Sequence, residues 1–391
     1  MAQIWPEQRS SAGGVRTRSL VKACLENDWR VTFFAYSKEN SFSDELRSLG
    51  VKIIQIPLEE TALQALLLAE QPNITIFDRF MTEEQFGWRI RELFPKCLRI
   101  IDTIDLHFLR QQREKGAFDE TLPRELASLY RSDLNLLIST FEMEYIQTEF
   151  EFPKELLAYV PFFYEKAECG LSYSERSHFM FIGNYRHPPN FEAAQYLAKE
   201  IWPGIKSQVP FAELHLYGAY PRKEIVDLQN SSMRIFFRGA TPDQYETLKK
   251  YRVNLAPILF GAGLKGKITD AWSVGTPCVS TPVGAEGLLP NPSLWGGLIA
   301  DRGPDFVQAA IRLYEDEVLW QSSSGRGIAI LHELFSRERE SPRFIQLLEE
   351  KWQEKQRRTK ENTIATLLWH HAHQSTKYFS RWILEKNKRS P

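Results

Sequence analysis

Residues 260–288 read FGAGLKGKITDAWSVGTPCVSTPVGAEGL. The apolar run Val253–Ala256 before them predicts a strand, and Ile268–Val274 predicts a helix. The glycines between strand and helix let the backbone approach a ligand closely, and the free N–H groups at the start of the helix attract an anion. Lys265 and Lys267 add positive charge suited to a diphosphate. This unit predicts an α/β fold with an anion site at the carboxyl end of a strand.

Apolar, strand-like runs alternate with helix-like segments on both sides of this unit, which predicts βαβ units and parallel sheets covered by helices on both faces. The pattern restarts near Pro161–Ser174. We therefore expect an α/β protein of two Rossmann-like, doubly wound domains that face a cleft, with ligands bound outside the carboxyl ends of the strands. The predicted domains are residues 1–165 and 175–345, followed by a helical, basic and aromatic tail over 346–391. Besides those above, the predicted strands are Val31–Tyr36, Val51–Ile56, Ile74–Phe77, Leu98–Ile101, Leu134–Ile138, Phe179–Ile182, Glu213–Tyr217, Met233–Arg238 and Pro277–Ser280, and helices are predicted over Arg18–Glu26, Glu84–Leu93 and Phe191–Ile201.

The start of the chain does not fit this pattern fully. A glycine-bearing turn at Ser10–Gly14 needs a strand before it, and only Ala2–Trp5 is available. We favour the interpretation that a short strand suffices. The alternative is that the start codon lies upstream and that a central strand has been clipped.

Composition excludes several classes of protein. Hydrophobic residues make up 43% of the chain and charged residues 25%, as in globular proteins, and the net charge of −1 gives no basic field for nucleic acid. The four cysteines are scattered, which argues against a zinc site or a disulfide framework. No stretch approaches the roughly 20 apolar residues that span a bilayer. We expect a cytoplasmic protein without a metal.

The segment APILFGAGLKGKITDAWSVGTPCVSTPVGAEGL, together with FMFIGNYRHPPNFEAAQYL at Phe179–Leu197, resembles the donor-binding segments of family 4 glycosyltransferases. These are retaining enzymes with the GT-B fold, and the likeness spans about Phe179–Leu288. It implies transfer of a sugar, of the hexosyltransferase type, from a nucleotide-diphosphate sugar to a glycan or lipid-linked acceptor in polysaccharide biosynthesis. The resemblance also implies that the sugar is transferred with retention of its configuration. It implies that the enzyme uses no metal and no cofactor beyond the nucleotide-sugar co-substrate.

The resemblance assigns roles to individual residues. Asp270 matches the second acid of a paired-glutamate motif and would hold the ribose hydroxyls of the donor. Ala262 stands where the first acid is expected, a form that a subgroup of the family shares, so the usual contact to the donor sugar is missing or supplied elsewhere. The residues implied to bind the donor diphosphate are Gly13, Gly14, Gly183, Arg186, Gly263, Lys265 and Lys267.

Catalytic residues are expected after the strand Leu98–Ile101. His107 falls where family members place a histidine close to the transferred sugar, and Asp105 is expected to orient it or to contact the acceptor. The alternative is a capping aspartate beside an ordinary surface histidine. Ser139 and Glu142 are interpreted as structural, as a helix N-cap and its capping-box acid.

Two alternatives to a transferase stay open at this stage. One is an epimerase that acts on its sugar nucleotide, and the other is a degenerate transferase domain that binds a nucleotide sugar without turnover. The basic tail after Trp352 either packs its apolar face on the protein or lies on an anionic membrane surface, which would place the protein peripherally at the inner membrane face.

Overall fold

The structure is a computed structural model that describes residues 1–8, 10–165, 167, 170–289, 292–358 and 362–370. It consists of two α/β halves joined near residue 165, each with parallel strands whose connections are mostly helical. In the N-terminal half the strands are β1 (Thr32–Ala35), β2 (Lys52–Gln55), β3 (Ile74–Asp78), β4 (Leu98–Asp102), β5 (Leu134–Leu137) and β6 (Leu157–Tyr159). The helices of this half are α1 (Ala12–Leu25), α2 (Ser41–Ser48), α3 (Glu60–Glu70), α4 (Arg79–Leu93), α5 (His107–Lys115), α6 (Thr121–Arg131) and α7 (Thr140–Phe150).

The C-terminal half begins with the next strand. Its strands are β7 (Ser177–Ile182), β8 (Leu214–Tyr217), β9 (Ile235–Gly239), β10 (Tyr251–Ala256), β11 (Cys278–Ser280) and β12 (Gly297–Ile299). Its helices, and the last one that returns to the N-terminal half, are α8 (Pro188–Tyr196), α9 (Trp202–Gln208), α10 (Lys223–Val226), α11 (Gln244–Leu248), α12 (Gly266–Ser273), α13 (Pro282–Ala285), α14 (Pro304–Glu315), α15 (Glu317–Leu334) and α16 (Arg337–Arg357).

The C-terminal sheet has the strand order β12-β11-β10-β7-β8-β9, and every neighbouring pair is parallel. The connections run outward in opposite directions from β7 and β10. These two strands therefore form the topological switch point, where ligands bind in doubly wound sheets. The loop after β7 contains Gly183, and the loop after β10 contains the glycine–lysine segment.

The N-terminal sheet is divided. β1 pairs with β2, and β3, β4, β5 and β6 form a second parallel sheet. Residues 1–3 connect the two sheets, because the Ala2 N–H donates to the Phe34 carbonyl at 2.9 Å and the Met1 nitrogen donates to the Ile76 carbonyl at 2.7 Å. The predicted strand Ala2–Trp5 is reduced to a single bridge between Ala2 and Ala35.

Several strands could be predicted from apolar runs in the sequence because they are buried on both faces. All residues of β4 and β5 are buried, since helices cover both faces of the sheet. Helix starts were harder to predict. α1 begins at Ala12 rather than at the predicted Arg18, because the Ser11 side chain caps it.

The chain crosses between the halves twice, at neighbouring positions. The segment after β6 pairs with the segment before α16, through a parallel bridge between Tyr164 and Ser336. α16 then packs on the N-terminal half, where Phe344 and Leu348 join its apolar core. The Lys355 ammonium lies 2.9 Å from Asp133.

The predicted tail is described only in part. Residues 346–357 belong to α16, and residues 363–370 are helical. Trp369 is buried, with its ring 5.3 to 5.8 Å from the guanidinium groups of Arg91, Arg99 and Arg131. The rest of the predicted membrane-contacting segment, residues 371–391, lies outside the described residues. Across the described ranges, no helix combines the length and apolar character that a bilayer crossing requires.

Candidate functional site between the two halves

Two helix N-termini meet across the cleft. α1 of the N-terminal half begins at Ala12, and α12 of the C-terminal half begins at Gly266. A methyl group placed on Gly266 would lie 2.8 Å from the Ala12 Cβ atom, so the two first turns are in contact. The positive ends of two helix dipoles therefore converge, one from each half, on the same part of the cleft.

Glycines at the start of α1 permit this approach. A Cβ atom on Gly14 would lie 2.4 Å from the backbone carbon of Glu7, so a larger residue would collide with the main chain. A Cβ atom on Gly13 would lie 3.2 Å from a guanidinium nitrogen of Arg79. Arg79 follows β3 in a left-handed conformation, with φ of 64°, and brings to the start of α1 a cation that the sequence analysis missed.

Gly183 and Lys267 lie together at the switch point of the C-terminal sheet. A Cβ atom on Gly183 would lie 2.9 Å from the Asn190 side chain, and the Lys267 Nζ donates to the Oδ1 of the same Asn190 at 2.6 Å. The ammonium also lies 4.3 Å from the centre of the Phe181 ring. Burial lowers the pKa of Lys267 to about 7.

Arg186 lies at the rim of the same loop. Its guanidinium stacks 3.5 Å from the centre of the Tyr220 ring, and the Tyr220 hydroxyl donates to Glu7 of the N-terminal half at 3.0 Å. Arg186 is exposed. Its assigned part as a counter-charge of the donor stays a prediction.

The glycine loop of residues 261–265 docks on the N-terminal half. The Gly263 N–H donates to the Glu142 carboxylate at 2.8 Å. Gly263 has φ of 65°, and a Cβ atom there would lie 2.8 Å from the Ile104 carbonyl oxygen. The Lys265 Nζ donates to the Gly263 carbonyl at 2.8 Å, and burial lowers its pKa to about 8. The loop is thus held by backbone contacts that a bulkier residue at 263 would prevent.

An ion pair closes the cleft beside this loop. Arg113 of α5 forms two hydrogen bonds to the Glu286 carboxylate, at 2.7 and 3.0 Å, and a third to the Gly261 carbonyl at 2.7 Å. Neither Arg113 nor Glu286 was singled out from the sequence. Because the two lie 173 positions apart, no local pattern indicates that they meet.

The interpretation of Glu142 as a capping-box acid was wrong. Ser139 does cap α7, since its hydroxyl accepts from the Glu142 N–H at 3.3 Å. The Glu142 carboxylate, however, accepts from the Leu106 N–H at 2.9 Å and from the Gly263 N–H. Burial raises the pKa of this carboxylate to about 7. Glu142 therefore belongs to the site.

The predicted pair Asp105 and His107 lies in the cleft, and His107 is buried, so the surface-histidine alternative was wrong. The His107 Nε2 lies 3.4 Å from the Asp105 Oδ1, and no described residue is hydrogen-bonded to it. Burial lowers the pKa of His107 to about 3, so the imidazole is neutral. Burial alone would raise the pKa of Asp105, but Arg110, His107 and Arg79 lower it to about 2.

The capping alternative for Asp105 was also wrong. The first N–H groups of α5, those of His107 and Phe108, donate to the Glu125 carboxylate at 3.2 and 2.8 Å. Glu125 is buried, and burial raises its pKa to about 8. The Asp105 side chain instead pairs with Arg110.

Asp270 lies in the second turn of α12. The Tyr164 hydroxyl donates to its Oδ1 at 2.7 Å, and the Gln244 amide donates to its Oδ2 at 3.2 Å. Burial raises the pKa of Asp270 to about 7, although the hydrogen bonds from Tyr164 and Tyr245 oppose this shift. Its ribose contact stays a prediction.

Ala262 supplies no carboxylate at the position of the missing first acid. Its methyl group packs against the apolar core of the N-terminal half. Carboxylates at this place come instead from the opposite half of the chain. Glu142 binds the Gly263 N–H, and the Asp105 Cβ atom would lie 2.8 Å from a Cβ atom on Gly263.

The two parallel α/β halves, facing each other across this cleft, define the GT-B fold. Residues 176–316, which contain β7 to β12, match the sequence model of the family described as glycosyl transferases group 1. A search of curated proteins finds no match.

Solved structures of similar fold cover nearly the whole chain. Sucrose-phosphate synthase from Thermosynechococcus elongatus matches with a TM-score of 0.69 at 15% identity, over 90% of this chain and 97% of that one. Anabaena HepE in complex with UDP and glucose matches with a TM-score of 0.68 at 13% identity, over 88% and 98%. A glycosyltransferase from Rickettsia africae matches with a TM-score of 0.67 at 8% identity, over 90% and 97%.

Proposed function

We propose that the protein is a retaining glycosyltransferase of the family 4 type, which moves a sugar from a nucleotide-diphosphate sugar to an acceptor. The observation that carries the proposal is the convergence of α1 and α12 at the cleft, with Lys267 beside the same loops. Two helix N-termini from opposite halves provide N–H groups and dipole charge for one dianionic diphosphate. The group 1 match and the GT-B fold support this reaction class.

The chemical step that such a site favours is departure of the nucleoside diphosphate. Negative charge grows on the leaving phosphate oxygen as the glycosidic bond breaks, and preorganised N–H groups and ammonium groups stabilise that charge. Lys267 and Lys265 both have lowered pKa values, so a bound diphosphate would restore their full charge. We propose that these protein groups, rather than a metal ion, hold the diphosphate.

His107 and Asp105 would act on the sugar side. The neutral imidazole, whose Nε2 is hydrogen-bonded to no described residue, can accept a hydrogen bond from a sugar hydroxyl or donate one to it, depending on its tautomer. Asp105, which keeps its charge through Arg110, would favour positive charge that develops on the sugar ring. We propose transfer on the face from which the diphosphate leaves, with retention.

Neighbouring proteins support a choice of donors to test. HepE was solved with UDP and glucose, and a pneumococcal O-GlcNAc transferase with UDP and GlcNAc, so UDP-sugars are the first donors to test. Asp270 would accept from the ribose hydroxyls in place of Gln244. We propose a glycan or lipid-linked acceptor in polysaccharide biosynthesis, which a peripheral membrane contact of residues 371–391 would suit.

A donor panel tests the proposal. UDP-, GDP-, ADP- and dTDP-sugars would be screened by thermal shift, and the stabilising donors followed by NMR for hydrolysis or transfer. Replacing Lys265 and Lys267 together by Ala should abolish donor binding. The control is Ala at both Lys199 and Lys250, which are exposed and lie outside the glycine loop. Unchanged donor affinity in the first variant would overturn the site assignment.

The same assay separates the alternatives. A transferase releases the nucleoside diphosphate, slowly to water and faster to an acceptor. An epimerase converts the sugar while the nucleotide stays attached, and a binding protein without turnover does neither. Release of UDP that depends on His107 would decide for the transferase.

A further inference from the structure

The two places where the chain crosses between the halves are paired through one residue, Tyr164. Its N–H donates to the Phe335 carbonyl at 2.8 Å, and its carbonyl accepts from the Arg337 N–H at 2.8 Å. Both hydrogen bonds belong to the parallel bridge between Tyr164 and Ser336. Any change in the angle between the halves has to bend these two crossing segments, so they form the hinge of the molecule.

The chain just before Tyr164 is held by the N-terminal half. The buried Arg16 guanidinium donates to the Val160 carbonyl at 2.6 Å and to the Pro161 carbonyl at 3.0 Å. Arg16 is itself fixed by the Asp102 carboxylate at the end of β4, at 2.8 and 2.9 Å. The N-terminal half therefore fixes the first crossing segment up to Pro161.

Tyr164 itself is held by the C-terminal half. Its ring is buried in the main apolar core of that half. Its hydroxyl donates to the Asp270 Oδ1 at 2.7 Å and lies 2.7 Å from the Thr269 Oγ1. Both partners belong to α12, whose first turn faces the cleft. The bend that a rotation of the halves requires therefore falls between Pro161 and Tyr164.

The carboxylate that holds Tyr164 is the one assigned to the donor ribose. Asp270 is buried, and its Oδ2 accepts from the Gln244 amide at 3.2 Å, while Tyr245 also hydrogen-bonds to it. Burial raises the pKa of Asp270 to about 7, and hydrogen-bond donors favour its charged form. A ribose diol in place of Gln244 would add donors. It would thus favour the charged carboxylate and strengthen the hydrogen bond from Tyr164.

We infer that Tyr164 is a positioning residue that couples the ribose of the donor to the hinge between the halves. The ribose orders Asp270, Asp270 holds the Tyr164 hydroxyl, and the Tyr164 backbone holds both crossing segments. Such a coupling is reciprocal, so the same hydroxyl strengthens binding of the ribose. The inference rests on the proposed function, because it needs a nucleoside diphosphate at Asp270.

Amide hydrogen exchange at Tyr164 and Arg337 measures the pairing of the crossing segments. Each protein would be saturated with UDP, or with the nucleoside diphosphate that the donor panel selects, and separately with inorganic pyrophosphate, which has no ribose. In the natural protein, exchange with the nucleoside diphosphate should be slower than with pyrophosphate by about fivefold or more.

Two tyrosine variants separate the hinge from the carboxylate. Tyr164→Phe keeps the ring and removes the hydroxyl, so the two ligands should give equal exchange. Tyr245→Phe is the matched control, because it removes a hydroxyl from the same carboxylate without touching the crossing segments. It should keep the difference between the ligands. By calorimetry, Tyr164→Phe should bind the nucleoside diphosphate about fivefold or more weakly and pyrophosphate with unchanged affinity.

The outcomes distinguish this inference from the proposed function. A nucleoside diphosphate that binds the natural protein without slowing exchange at the hinge, or that slows it equally in Tyr164→Phe, would overturn the inference alone. A natural protein that binds no nucleoside diphosphate would overturn the proposed function and the inference with it. If Tyr164→Phe does not fold, Asp270→Asn, which keeps the side-chain size and removes the charge, should likewise lose most of the difference between the ligands. A full difference in Asp270→Asn would overturn the inference.

Discussion

Lys267 should make binding of a nucleoside diphosphate depend on pH. In the ligand-free protein its pKa lies near 7, because burial disfavours the ammonium form. A bound diphosphate favours the ammonium, so the pKa rises on binding and a proton is taken up when the pH is near or above 7. Affinity for UDP should therefore fall as pH rises above about 7, by up to about tenfold per pH unit for each proton taken up. Lys265, with a pKa of about 8, should add a second such step at higher pH.

The substitution Lys267→Met removes the charge and keeps most of the side-chain volume. A hydrogen bond to a charged group contributes about 1.5–3 kcal/mol, so UDP should bind about 10- to 150-fold more weakly at pH 6.5. The difference should shrink at pH 8.5, where Lys267 of the natural protein is mostly neutral before binding. Lys250→Met, an exposed control, should leave the affinity unchanged.

Titration calorimetry in two buffers of different ionisation enthalpy measures both the affinity and the proton uptake. At pH 7.5 the natural protein should take up protons on binding UDP, and Lys267→Met should take up fewer. An affinity that does not change between pH 6.5 and 8.5 would refute the reasoning. Equal losses in Lys267→Met and Lys250→Met would refute the placement of the diphosphate.

Three further predictions concern stability, the loop and catalysis. Gly14→Ala should lower the free energy of unfolding by more than about 2 kcal/mol, because the new methyl group meets main-chain atoms. Gly325 is a helical position with open space, so Gly325→Ala should raise the free energy of unfolding by about 0.5–1 kcal/mol. Urea unfolding measures both changes. Glu142→Ala should speed amide exchange at Gly263 by at least about tenfold, and Glu142→Gln, which keeps an acceptor oxygen, by much less; equal exchange in the two variants would contradict the role given to the carboxylate. His107→Phe should lower kcat by about 100-fold or more with little change in donor affinity. Initial-rate kinetics with an active donor measures both, and a change in KM alone would contradict a catalytic role for His107.

Much of the fold was predictable because its signals are local. β4 and β5 are apolar throughout, and the strands β7 and β10 precede glycine-bearing turns, so their positions follow from short stretches of sequence. Helix starts such as Ala12 were missed, because a single capping serine is hard to distinguish from the other polar residues around it. The short strands β6 and β12, of three residues each, were missed.

The candidate site was predictable where function depends on one contiguous segment. Lys267 and Gly183 were singled out from motifs, and the structure brings them together through Asn190. Glu142 was misjudged, because a serine three residues before a glutamate is the usual mark of a capping box. Only the folded chain shows that its carboxylate reaches a glycine 121 positions away.

The sequence alone determined the chemistry of each loop: glycines where the backbone must approach closely, lysines beside them, and the N-terminus of α12 behind. These depend on neighbouring residues and on backbone geometry, which are local. The tertiary structure decided which loops face each other, for which acids burial raises the pKa, and that Arg113 meets Glu286. Packing between distant segments sets those contacts.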